Sequence, residues 1–140
     1  MKNVLLYLAN AYYTILSGAN LMFNGSPLPI YDGMAPSTEL GSYILIGLDR
    51  SAQQTQDKCG FIYDAQILVD VVIKTGSYGF VDSDTIAETV MGLINTNLNP
   101  TVQNFQCFVT QVSLNNLQSL NPTEPTFRTL VRFMHKIVQQ

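Results

Sequence analysis

Charge is what this sequence has least of. Seven Lys and Arg and ten Asp and Glu make up 12% of its 140 residues, against about 25% in an average globular chain. Asn and Gln together number 21 and so outnumber the 17 charged residues. A net charge of −3 and a pI near 4.8 give no basic footprint for a dedicated nucleic-acid binder. No run of 18 apolar residues is present, so no helix should span a bilayer, and no membrane partner is expected. Two cysteines, Cys59 and Cys107, and one histidine, His135, are too few for a disulfide framework or a zinc site. No glycine-rich phosphate loop stands between a strand and a helix.

What is present fits one domain over residues 1–140, with a hydrophobic fraction of 46% and length enough to bury a core without staples. A surface made of amides, hydroxyls and apolar groups resembles the centre of an interface, because burying an unpaired charge is costly. The opening MKNVLLYLANAYYTIL has the outline of a signal peptide. Polar residues at near-helical intervals (Asn3, Asn10, Thr14, Ser17) favour an amphipathic helix of the mature chain over residues 2–17, stopped by Gly18. Residues 18–41 hold seven Gly or Pro positions and one short extended piece, in which Pro29 allows only an edge element.

The run 42–48, greasy on both faces, predicts a strand buried on both sides. Residues 49–60 (DRSAQQTQDKCG) predict a polar loop that is either a mobile surface element or one that orders against a partner. Residues 61–74 have every odd position apolar, with Asp64, Gln66, Asp70 and Lys74 polar among the even ones, and predict a strand of about 46 Å. Asp82-Ser83-Asp84 predicts a helix N-cap, and Ile86, Val90, Leu93 and Ile94 form a core-facing stripe. Residues 105–114 predict a strand whose apolar phase switches between Val109 and Val112, the mark of a bulge. A turn at 121–125 leads to a last strand, 127–138. The expected fold class is α+β: a mainly antiparallel sheet of about four strands with a long hairpin, and two helices packed on one face.

Enzyme parts are scarce. His135 shares a strand face with Phe133 and Ile137, which predicts a structural place at the edge of the apolar layer. Cys107 reads as a small buried hydrophobe and Cys59 as a partly exposed thiol. Asp64 and Asp70 share a strand face but lie about 20 Å apart, too far to act as a pair. No catalytic residue, metal or cofactor is expected. Arg128, Arg132 and Lys136 recur every fourth residue on one face of the last strand. That stripe is either a solvated outer face, a surface between subunits or lining a channel, or a place of non-specific contact with DNA.

The ordered pattern resembles the tail-terminator or tail-completion proteins of tailed bacteriophages. The parts that carry it are an opening helix, the segment from Leu28 to Pro36, the strand from Ser42 to Gly47, and Lys58 before Gly60. The strand from Ile67 to Ile73, the helix beginning Asp84-Thr85-Ile86-Ala87, and Arg132-Phe133 complete it. Two departures stand out: Pro29-Ile30 occupies a place where that family often has arginine, and residues 114–121 have no counterpart. The resemblance implies a virion protein of the neck: a ring, hexameric in preference to dodecameric, that terminates the tail tube and joins it to head-side connector or portal proteins around a DNA channel. A ring beneath the portal of a short-tailed phage is the variant reading, and assembly would take place in the host cytoplasm. A hairpin of residues 43–49 with 61–74, joined by 49–60, would contribute to contacts. The candidate contact residues are Asp49, Arg50, Gln53, Gln54, Gln56, Lys58, Tyr63, Arg128, Arg132 and Lys136. From other classes, a cellular ligand- or peptide-binding module requires a concave apolar pocket, and an enzyme requires His135 and Cys107 to be accessible.

Overall fold

The computed structural model describes residues 3–39, 41–47, 49–57, 60–74, 79–98, 101–102, 105–118 and 125–139. Two helices, α1 (Val4–Gly18) and α2 (Val81–Asn97), accompany nine strands. These are β1 (Met22–Phe23), β2 (Ser26–Pro27), β3 (Ile30–Asp32), β4 (Tyr43–Ile46), β5 (Ser51–Asp57), β6 (Gly60–Ile73), β7 (Thr101–Val102), β8 (Phe105–Gln118) and β9 (Phe127–Gln139). Seven strands form one sheet in the order β3-β4-β6-β9-β8-β7, with β5 also paired to β6; β1 and β2 form a separate ribbon. Every pairing is antiparallel except that of β3 with β4.

The α+β class and the two helices on one sheet face agree with the alternation of the sequence, but about four strands was too few. The largest difference is residues 49–60, expected as a polar loop. Their centre is strand β5, paired residue for residue with β6 from Ser51↔Gln66 to Asp57↔Gly60. A strand needs only backbone groups to pair, and the rigid, apolar β6 supplies the template that Ser, Gln and Thr side chains do not advertise. Gly60 begins β6 at φ 142°, a conformation that disfavours any side chain, and so re-aims the chain out of the tight connection. The long hairpin is therefore β4 and β5 together against β6. Cys59 and the turn at 121–124 lie outside the described residues.

Pro29 sits directly before β3, an edge strand of three residues, as its missing N–H requires. β4 buries Ile44 and Ile46 but leaves Tyr43 and Leu45 half-buried, so only one of its faces is in the core. β8 carries the expected bulge, between Val109 and Gln111, and runs four residues past its expected end. Helix α2 begins after Phe80 with no side-chain cap; Ser83 instead donates to the Phe80 carbonyl at 3.1 Å. Asp82 and Asp84 still stand in its first turn, where the helix dipole favours them.

Side-chain alternation along β6 and β9 sorts the sheet into two faces. Ala65, Ile67, Val69 and Val71 pair with His135, Phe133, Val131 and Thr129 and point toward the helices. Leu8, Tyr12 and Leu16 of α1 and Ile86, Val90 and Ile94 of α2 close this layer. His135 lies inside it, only 2% exposed. Its Nδ1 is 3.1 Å from the Ala65 carbonyl oxygen, which can only accept, so Nδ1 carries the hydrogen. Nε2 then accepts from the Tyr12 hydroxyl. The neutral ring is thus fully satisfied, and a second proton on Nε2 would remove the acceptor of Tyr12.

Burial pushes the folded-state pKa of His135 down to about 4 from 6.5, although the Ala65 bond opposes the shift. As pH falls below 6.5 the unfolded chain takes the proton first, so stability drops until the folded ring also titrates near 4. That loss should reach about 3 kcal/mol from this group. Urea unfolding of wild type and His135→Gln between pH 7.5 and 4 should show it as the excess slope of wild type; parallel curves would refute it.

Candidate functional site

Among the described residues, no helix covers the face of the sheet opposite α1 and α2. Its residues are the even positions of β6 and β9, with their register partners on β4 and β8: Leu45, Leu68, Leu130 and Met134 supply half-buried apolar area. The three basic residues of β9 stand among them, and the chain itself supplies partners. Arg128 grips Asp70 with Nε, 3.2 and 3.1 Å from the two carboxylate oxygens, and with Nη2 on Oδ2. The Asp70 side chain is 3% exposed and that of Arg128 is 40% exposed. The bond to Asp70 raises the Arg128 pKa further above its ordinary value, so the guanidinium is a fixed charge. Arg132 reaches Asp49 at 2.9 Å, with both groups in solvent. Lys136 stands opposite Asp64 in the β6–β9 register.

Beside this face, Tyr31 donates to Glu39 and the Gly41 amide donates to the same carboxylate at 2.9 Å. Those two bonds, Tyr31 first, hold the Glu39 pKa below its usual value. Lys74 lies over the Tyr43 ring, 5.2 Å from its centre, in a cation–π contact.

The candidate contact residues are thus dispersed. Asp49 and Arg132 meet, and Arg50 pairs with Asp32 at 3.0 Å. Gln53 is exposed and Gln54 half-buried on β5, in register with Asp64 and Tyr63. Gln56 belongs to β5 by its backbone, and Lys58 lies outside the described residues. Tyr63, expected at a partner contact, is buried: it holds an odd, helix-facing position of β6, and its hydroxyl donates to Gln139 at 3.1 Å.

On the helix face, an open groove of about 380 Å³ runs between α2 and β8, lined by Asp84, Ala87, Glu88, Met91, Leu114, Asn116 and Thr129. Thr129 lies within hydrogen-bond distance of Ser83, Asp84 and Asn116, at 2.9, 2.8 and 3.0 Å, tying α2 to the sheet beneath the groove. Sequence reasoning missed this groove and the Asp70–Arg128 pair. The signal for the pair was an aspartate in the most apolar stretch of β6, Ile67 to Ile73, with a basic residue on another strand of matching phase.

A second small concavity, against Val4, Tyr7, Leu8, Phe105, Cys107 and Ile137, has room for less than one water molecule. Cys107 is a buried free thiol with its pKa pushed up to about 12 by burial. With His135 buried as well, neither group of the supposed enzyme pair is open to a substrate. No group of three or more potential metal ligands occurs among the described residues.

No protein-family model matches the chain, and no curated protein matches it. Among the solved structures with a similar fold is a chain of the "virion of native gene transfer agent (GTA) particle", similar over 99% of both chains. The TM-score is 0.57 and the sequence identity 13%. What the two share is the fold.

Removing the Arg128 side chain would leave Asp70 charged and buried. Arg128→Ala should lower unfolding free energy by about 3 kcal/mol, the low end for a buried pair because the guanidinium is partly in solvent. Arg132→Ala, which breaks an exposed pair, should stay within about 1 kcal/mol of wild type. Urea midpoints decide between them; equal losses would mean that burial of Asp70 is not what matters.

Proposed function

We propose that this chain is a structural protein of a phage or phage-like virion and assembles as a ring in the neck. The ring terminates the tail tube and joins it to the head-side connector or portal proteins, and DNA passes through its centre. The observation that carries the reading is the end-to-end likeness of fold to a gene transfer agent virion chain, which agrees with the tail-terminator pattern in the sequence. A hexamer is favoured, with a dodecamer as the alternative. The chain's chemistry supports a role in shape and not in catalysis. Cys107 and the only imidazole, His135, are in the core, and Arg128 and Arg132 on the face away from the helices are paired within the chain.

Contacts with neighbours would draw on Asp49, Arg50, Gln53, Gln54, Arg132 and Lys136 and on the amide-rich surface, with Arg128 holding Asp70 beneath them. Heterologous contacts that close by rotation make a ring without any two-fold self-complementary patch.

The purified protein should change mass with concentration from monomer to one closed species, seen by negative-stain microscopy as rings on the order of six or twelve subunits. A monomer throughout, including in the presence of purified tail tubes or connectors, would overturn the reading.

A further inference from the structure

Among the described residues the sheet has a free edge at each end, and beyond its bulge the edge at β8 lacks the features that keep edges solitary. Among the described residues, β8 meets β7 only at Phe105 and Gln106. Beyond the bulge, residues 111–118 run in unbroken register with β9 and present their outer backbone groups to solvent. Exposed edges are ordinarily guarded by lysine, proline, inward charges or short length. All fourteen residues of β8 are uncharged and none is proline. Phe108, Val112, Leu114 and Leu117, all on this strand, are between 40% and 56% exposed. They are four of the nine large exposed hydrophobic residues among those described.

At the other end, β5 pairs with β6 on one side and carries no charge from Ser51 to Gln56. The two edges point the right way for each other. β5 and β9 both run antiparallel to β6, and β8 runs antiparallel to β9. A second copy held in the same sense therefore lays its β5 antiparallel to β8. Chemistry agrees as well. The groove beside β8 displays the carboxylates of Asp84 and Glu88, and the helix-facing positions of β5 are Ala52 and Gln54. A glutamine amide donates to a carboxylate without placing a second charge in the interface.

We propose that residues 111–118 of one subunit dock β5 of the next copy, continuing the sheet from subunit to subunit, with Gln54 entering the groove between α2 and β8. This rests on the ring reading and supplies its contact. Because the sheet offers two different edges, each copy gives one and receives one, as a heterologous ring requires.

The test is amide hydrogen exchange on the full chain at concentrations below and above assembly, together with the double variant Val112→Lys, Leu114→Lys. Both sites are solvent-facing in one chain, so the variant should keep the wild-type circular dichroism and urea midpoint. Assembly should slow exchange in residues 111–118 and 51–57 together, and the variant should associate roughly 100-fold more weakly. Rings that form with neither edge protected, or that survive both lysines, would overturn the edge contact and leave the ring reading standing. Open filaments with both edges protected would support the contact and refute ring closure. A wild-type chain that stays monomeric at every concentration would overturn both.

Discussion

The ladder between β6 and β9 is the constraint on which the rest of the molecule depends. Twelve consecutive residue pairs, from Ile62↔Val138 to Ile73↔Phe127, run without a bulge. A one-residue slip of β9 in that register would turn Val131 and Phe133 to solvent and bring Arg132 into the core. The register also decides what hangs on each side. β4 and β5 share the outer edge of β6, β8 follows β9, and both helices close over the face that Ile67 and Phe133 define. The Asp70–Arg128 pair is a consequence: it joins the two strands diagonally on the opposite face, with Asp70 in register with Leu130 and Arg128 with Val72.

Scarcity of charge acquires a structural meaning in this setting. All three arginines stand in ion pairs within the chain, with Asp32, Asp70 and Asp49. The two sheet edges, β5 as far as Gln56 and β8, are built from amides, hydroxyls and apolar groups. Such edges can meet another backbone without stranding a charge, whereas a solitary sheet would gain solubility from lysines there. Function of this kind is carried by shape and by the placement of unpaired backbone, and the burial of His135 and Cys107 agrees with it.

Much of this was legible where side chains must alternate between oil and water. The unbroken apolar odd positions of β6 specified both its length and its buried face, and the phase switch after Val109 located the bulge to within a residue. β5 left no such trace. Its inward positions, Ala52 and Gln54, pack at the periphery of the sheet, so nothing in SAQQTQD separates strand from loop except the presence of a paired neighbour. The end of β8 was hidden for a related reason: Leu114 and Leu117 fall on opposite faces and neither is covered, so no period appears. Contact residues fared worse, because pairing across 58 or 83 positions of chain is set by register and not by local spacing. Arg128 and Arg132 look like an unpartnered stripe until Asp70 and Asp49 are seen beside them.

The most direct test of the account is the number of copies of this chain in an intact particle, counted by quantitative mass spectrometry against an abundant shell protein. A neck ring predicts a fixed, small number, on the order of six to twelve per particle. Its absence from purified particles, or a copy number in the hundreds, as a tube or shell subunit would have, would contradict the account.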